Sequence, residues 1–142
     1  GYGVNYSGFE GLTLNYATMD IVTGTDSTDG DVDVLKASYA YGPVTATYSA
    51  LDYDVSDTST AKETTSYALS YTITDDLSVT YGSETHDRAD SANDIEIDGI
   101  SVSYTTGGMT ISAASQSGEN FNHSASSNLD VDYWSLGASF AF

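Results

Sequence analysis

The chain has 142 residues, with 21 Asp or Glu against 3 Lys or Arg and a net charge of −18. Such a charge repels phosphate backbones, so nucleic acid is excluded as a partner. There is no cysteine, which removes disulfides, thiol nucleophiles and thiolate metal sites, and no run approaches the roughly 18 apolar residues of a membrane helix. The chain does not open with a basic segment followed by an apolar one, so no signal peptide is expected within it.

Helix signals are nearly absent, and apolar residues alternate with small polar ones, the period of a strand with two different faces. Tyr2, Val4 and Tyr6 read as the end of a first strand, and Leu12, Leu14 and Tyr16 as a second. Leu35, Ala37, Tyr39 and Tyr41 alternate with Lys36, Ser38 and Ala40. After a Gly-Pro turn, Val44, Ala46, Tyr48 and Ala50 alternate with Thr45, Thr47 and Ser49. Tyr67, Leu69, Tyr71 and Ile73 face away from Ser66, Ala68, Ser70 and Thr72. Leu77, Val79 and Tyr81 face away from Ser78, Thr80 and Gly82. Ile100, Val102 and Tyr104 oppose Ser101, Ser103 and Thr105, and Met109, Ile111 and Ala113 oppose Thr110, Ser112 and Ala114. Trp134, Leu136, Ala138, Phe140 and Phe142 close the series against Ser135, Gly137 and Ser139.

Nine strands result, the first incomplete, with connections that alternate short and long. The short ones, 7–11, 42–43, 74–76 and 106–108, hold the Gly, Pro or Asp that tight turns require. The long ones span about 20–33, 51–63, 84–98 and 116–132. In an up-and-down meander all short turns fall at one pole. Only Glu10, Asp75 and Asp76 lie there, and every other acidic residue lies at the long-loop pole.

Two architectures share this alternation. In a soluble β-sandwich the apolar face would be the core, but a buried Tyr needs a partner for its hydroxyl, and Greek-key sandwiches need no strict alternation of loop lengths. In a transmembrane β-barrel every backbone polar group pairs in a closed sheet, the apolar face meets lipid, and aromatic residues gather at the two interfaces. Tyr41 and Tyr104 precede short turns, and Phe140 and Phe142 lie at the same pole, as such a girdle requires. The expected fold class is therefore all-β, an antiparallel up-and-down transmembrane barrel wall.

The meander, the segment "SYALSYTITDDLSVTYGS" and the terminal "LGASFAF" resemble the C-terminal half of a Gram-negative outer-membrane general-diffusion porin. The resemblance covers essentially the whole chain. It implies that residues 1–142 are the C-terminal portion of one barrel domain, about 8–9 strands of 16, assembled as a homotrimer in lipopolysaccharide-bearing outer membrane. It implies passive diffusion of small hydrophilic solutes and ions, and a final aromatic strand (Trp134, Phe140, Phe142) read by the barrel assembly machinery. An odd strand count agrees with a fragment, since such barrels have even numbers. The alternatives are a complete eight-stranded barrel for anchoring or adhesion, with 1–11 as a leader, and a secreted calcium-dependent β-protein.

No catalytic constellation is legible, so no enzyme is expected. His86 and His123 both fall in long loops. The expected pore lining is Lys36, Ser38, Thr45, Thr47, Ser66, Ser70, Thr72, Ser78, Thr80, Ser101, Ser103, Thr110 and Ser112, with Lys36 the one basic residue on an inward phase. The acidic mouth predicts preference for cations. No cofactor is expected beyond calcium or magnesium, for which Asp26, Asp29, Asp31 and Asp33 around Gly30 are weak candidates. Calcium needs six to eight oxygens, and this spacing does not follow the EF-hand pattern.

Overall fold

The computed structural model describes residues 1–22, 29–55, 61–124 and 129–141. They form β1 (Tyr2–Phe9), β2 (Leu12–Ile21), β3 (Gly30–Tyr41), β4 (Val44–Val55), β5 (Lys62–Thr74), β6 (Leu77–Arg88), β7 (Ile95–Thr106), β8 (Met109–Glu119) and β9 (Val131–Phe140). A single turn of 3-10 helix, Phe121–His123, lies between the last two strands. All nine strands make one antiparallel sheet in chain order, and β1 and β9 are its two open edges.

The four short turns repeat one device. The turn carbonyls of Gly11, Pro43, Asp76 and Gly108 accept N–H groups of Ala40, Thr72, Thr105 and Ala141, each at 2.8 Å. Each turn is thereby tied to the next hairpin. The register shows the same step. The pair Phe9–Leu12 closes the first turn, and Leu12 aligns with Tyr39, while the next turn closes two residues further on at Tyr41–Val44. The third closes at Thr74–Leu77, two residues beyond Val79, which aligns with Tyr71 and Val44. The fourth closes at Thr106–Met109, two residues beyond Tyr104, the partner of Leu77. A slip of one residue per strand, at about 3.3 Å along and 4.8 Å across, tilts the strands by about 35°. That lies within the range of closed barrels.

The sheet has no core on either side. Val55, 5% exposed, is the one buried hydrophobic among the described residues, whereas Leu69, Tyr71, Tyr67, Trp134 and Leu136 are about half or more exposed. The accessible surface is 9493 Å² for 15.0 kDa, where a compact soluble monomer of that mass exposes about 7,000 Å². A sandwich would have a second layer on the tyrosine-rich face, and none is present among the described residues.

The strands run further than alternation of apolar residues indicates. Connections read as 20–33, 51–63, 84–98 and 116–132 shrink to 22–29, 56–61, 89–94 and 120–130. The acidic segments keep pairing because the ladder is made by the backbone, which needs no apolar side chain once a neighbouring strand is in place.

Candidate functional site

Register assigns every strand residue to one of two faces. One face carries Leu12, Tyr39, Ala46, Leu69, Tyr81, Ile100, Ser115 and Trp134 in a continuous cross-strand row. The other carries Thr45, Ser70, Thr80, Ser101, Ala114 and Ser135. All the residues expected to line a pore, Lys36 to Ser112, fall on this second face. Its hydroxyls bridge neighbouring strands: Ser70 to Thr80 at 2.8 Å, Thr105 to Thr110 at 2.9 Å. This face is concave and encloses a depression of about 390 Å³ around Ala68, Gly82 and Gly99, with Thr47, Glu84 and Gln116 at its margin. A Cβ on Gly82 would meet only ordinary contacts, the nearest at 3.6 Å, so the glycine there is not demanded by crowding.

Charge sorts by face as well as by pole. On the convex face Asp20, Asp31 and Asp54 form one cross-strand row, and Asp33, Asp52, Glu63 and Asp87 another. Glu96 pairs with Glu119, and Asp98 and Asp132 flank Ser117 on the same face. Glu84 is the single strand carboxylate on the concave face. All three basic residues lie there too: Lys36 aligned with Ser49, and Lys62 opposite Arg88. Two sequence expectations are thereby corrected. Lys36 is not the one inward base, and His86 is not a loop residue but a concave-face residue of β6. Both errors have one cause: the strands extend through segments whose polarity reads as loop.

The convex acids begin one step above the tyrosines, and two tyrosines reach up to them. Tyr16 donates to Asp33 at 2.6 Å, and Tyr81 to Asp98 at 2.8 Å. In both, the acceptor lies two residues beyond the residue directly opposite the tyrosine. Asp31 stands beyond the apolar band. Its carboxyl is held above the usual range by local desolvation, then by the charge and hydrogen bond of Asp20 and by Asp33 and Asp54. Asp33 is pulled the other way by hydrogen bonds from Tyr16 and Thr18.

Of the four suggested cation ligands, Asp26 lies outside the described residues, as does Phe142 among the suggested assembly-signal residues. Asp31 and Asp33 share the convex face, and Asp29 precedes β3. Among the described residues no group of three or more His, Asp or Glu side chains is gathered as a metal cage. Trp134 and Phe140 lie on the convex face of β9, 76% and 60% exposed.

Comparison with solved structures matches this chain to a porin whose structure was refined at 1.8 Å resolution, with a TM-score of 0.74 over 97% of the chain. The chain has the porin fold. The likeness, at 21% sequence identity, is one of architecture, and the chain spans 50% of that porin's length. No family model matches the sequence, and no curated protein does. The all-β antiparallel wall expected from alternation, and the porin-like architecture implied by the resemblance, are thus the observed ones. Tilted strands with one apolar, aromatic-rich face and one polar face are the pattern of a β-barrel wall.

Proposed function

We propose that residues 1–142 form the C-terminal portion of an outer-membrane porin, a water-filled channel for passive diffusion of small hydrophilic solutes and ions. The observation that carries this reading is the pairing of faces: a convex apolar face on which none of the described residues packs, backed by a concave face of hydroxyls and glycine. Lipid covers the first and water fills the second. Small hydroxylated side chains keep the lumen wide and hold no solute strongly, so the chain needs no catalytic group, and we read it as a channel rather than an enzyme.

Strand parity supports a larger barrel. With nine strands, β1 and β9 run in the same direction, so antiparallel closure needs an odd number of further strands. That parity disfavours a closed barrel of these nine, and an eight-stranded one with 1–11 as a leader is disfavoured because β1 is itself a paired strand. Sixteen strands and a homotrimer fit the reading. Trp134, Phe140 and Phe142 would serve as the signal read by the barrel assembly machinery. The acidic rows above the apolar band would face lipopolysaccharide.

Cation preference rests on the net charge of −18, concentrated at one pole, which raises the local cation concentration within about one Debye length, roughly 8 Å at physiological salt. The full-length protein in a planar lipid bilayer tests the whole reading. Stepwise ohmic conductance, with a zero-current potential favouring cations under a salt gradient, is the expected result. Absence of conductance in correctly inserted protein would refute the channel, and anion selectivity would refute the charge argument.

A further inference from the structure

A second cavity lies on the concave face near the acidic pole, about 270 Å³ in volume, lined by Lys62, Thr64, His86, Arg88, Phe121 and His123. Ile95 and Ile97 border it too, and so does Asp87 from the convex phase of β6. Its composition runs against the rest of the chain. Two of the three bases and both histidines of a chain with net charge −18 converge there.

The arrangement is built. Lys62 and Arg88 are directly opposed across the β5–β6 ladder, a placement that costs stability for like charges. Arg88 engages Asp90 through Nε, so its two terminal amino groups remain as donors. His86 bonds Thr64 at 3.0 Å through Nδ1 and Glu84 at 2.7 Å through Nε2. The lid is the 3-10 turn Phe121–His123, which lies against β7 and β8. The ring of Phe121 sits where a Cβ on Gly118 would approach within 2.6 Å, so glycine there admits the ring. His123 bonds the Asn93 carbonyl at 2.9 Å, and its own carbonyl accepts from Ser91 at 3.3 Å. Asn120, Asn122 and His123 all have φ near +55 to +60°, at 57, 59 and 55°. Three non-glycine residues in that region carry strain that surrounding contacts must hold.

We propose that this cavity is a docking subsite for a small organic carboxylate, its charge held by Lys62 and Arg88 and its apolar body against Phe121 and Ile97. A planar guanidinium suits a carboxylate, and an ammonium beside it adds a point charge. The inference rests on the channel reading, because the subsite faces the lumen. A mean field that favours inorganic cations at the mouth is compatible with it. The field acts on every ion, whereas this site acts through contact with one solute class.

The test uses the full-length protein in detergent micelles, with benzoate as probe and saturation-transfer NMR as readout. Benzoate is expected to bind, and Lys62→Gln and Arg88→Gln each to weaken it about tenfold or more, the loss of a charge-assisted contact. Phe121→Ala should weaken benzoate but leave acetate unchanged. Ser139→Ala, on the same face but outside the cavity, should bind as the unmodified protein does. No benzoate binding, or binding indifferent to both Lys62→Gln and Arg88→Gln, would overturn the subsite. Conductance is measured on the same samples. Binding without conductance would leave the subsite standing and remove the channel, and conductance without binding would do the reverse.

Discussion

Lys62 stands directly across the β5–β6 ladder from Arg88, while the adjacent pair, Glu63 and Asp87, is opposed on the other face. Opposite charges that could have paired across the ladder are instead sorted to opposite sides of the wall. The concave side therefore carries positive charge within a strongly acidic chain. Arg88→Glu is expected to shift the zero-current potential further toward cations, and Asp87→Lys on the convex side to shift it much less, both read in planar bilayers at low salt. Equal shifts from the two substitutions would contradict the assignment of faces.

Leu69 lies midway along β5 on the convex face and is 52% exposed. In lipid this is a hydrocarbon position. Leu69→Arg should destabilise the inserted protein by about 2–4 kcal/mol, while Ser70→Arg, one residue along and facing water, should cost far less. Denaturant titration in lipid vesicles measures the difference.

Gly11 and Gly42 both adopt left-handed backbone, at φ +78° and +56°, but their surroundings differ. A Cβ on Gly11 would come 2.2 Å from the Ala40 carbonyl oxygen, whereas nothing lies within 4 Å of one on Gly42. Gly42→Ala should cost about 1 kcal/mol, from conformation alone. Gly11→Ala should cost more, because the clash also disturbs the Ala40 N–H to Gly11 carbonyl bond that staggers the hairpins. Unfolding midpoints of the two variants check the order.

Asp31 and Asp33, two residues apart on β3, are expected to respond to pH with opposite signs. Asp31 has its folded pKa raised. The folded state therefore binds its proton more readily than the unfolded chain, and its contribution favours folding as pH falls from above the folded value toward 3.8. Asp33 has its folded pKa lowered by Tyr16 and Thr18, so its contribution is present above 3.8 and lost as pH falls through the folded value. At neutral pH, Asp31→Asn should raise the melting temperature and Asp33→Asn should lower it. Both are surface groups, so both shifts will be small. Shifts of the same sign would count against the row of repelling carboxylates.

Much of this was legible in the sequence because strand side chains have a period of two. Tyr67, Leu69 and Tyr71 against Ser66, Ser70 and Thr72 identify the faces, and Gly, Pro and Asp mark the short turns. The strand ends at the acidic pole were not legible, since Asp and Glu signal loops when judged by polarity. The same parity would have found the concave bases had it been carried onward. Lys62 shares the phase of Ser66, and Arg88 the phase of Ser78. The cavity under Phe121 had no sequence signal, since it depends on the 3-10 turn lying against Gly118, and nothing in "SGENFNHS" specifies that placement.

The central claim is that the tyrosine-rich face meets lipid and the hydroxyl-rich face meets water. These 142 residues have no cysteine, so single cysteines at positions 66 to 73 of β5 can each be read alone once any cysteine elsewhere in the full-length protein is replaced by serine. The inserted full-length protein is treated with a charged, membrane-impermeant thiol reagent. Labelling should alternate, fast at 66, 68, 70 and 72 and slow at 67, 69, 71 and 73, with lipid-dissolved quenchers showing the inverse pattern for attached fluorophores. Fast labelling of the odd positions and protection of the even ones would contradict the account.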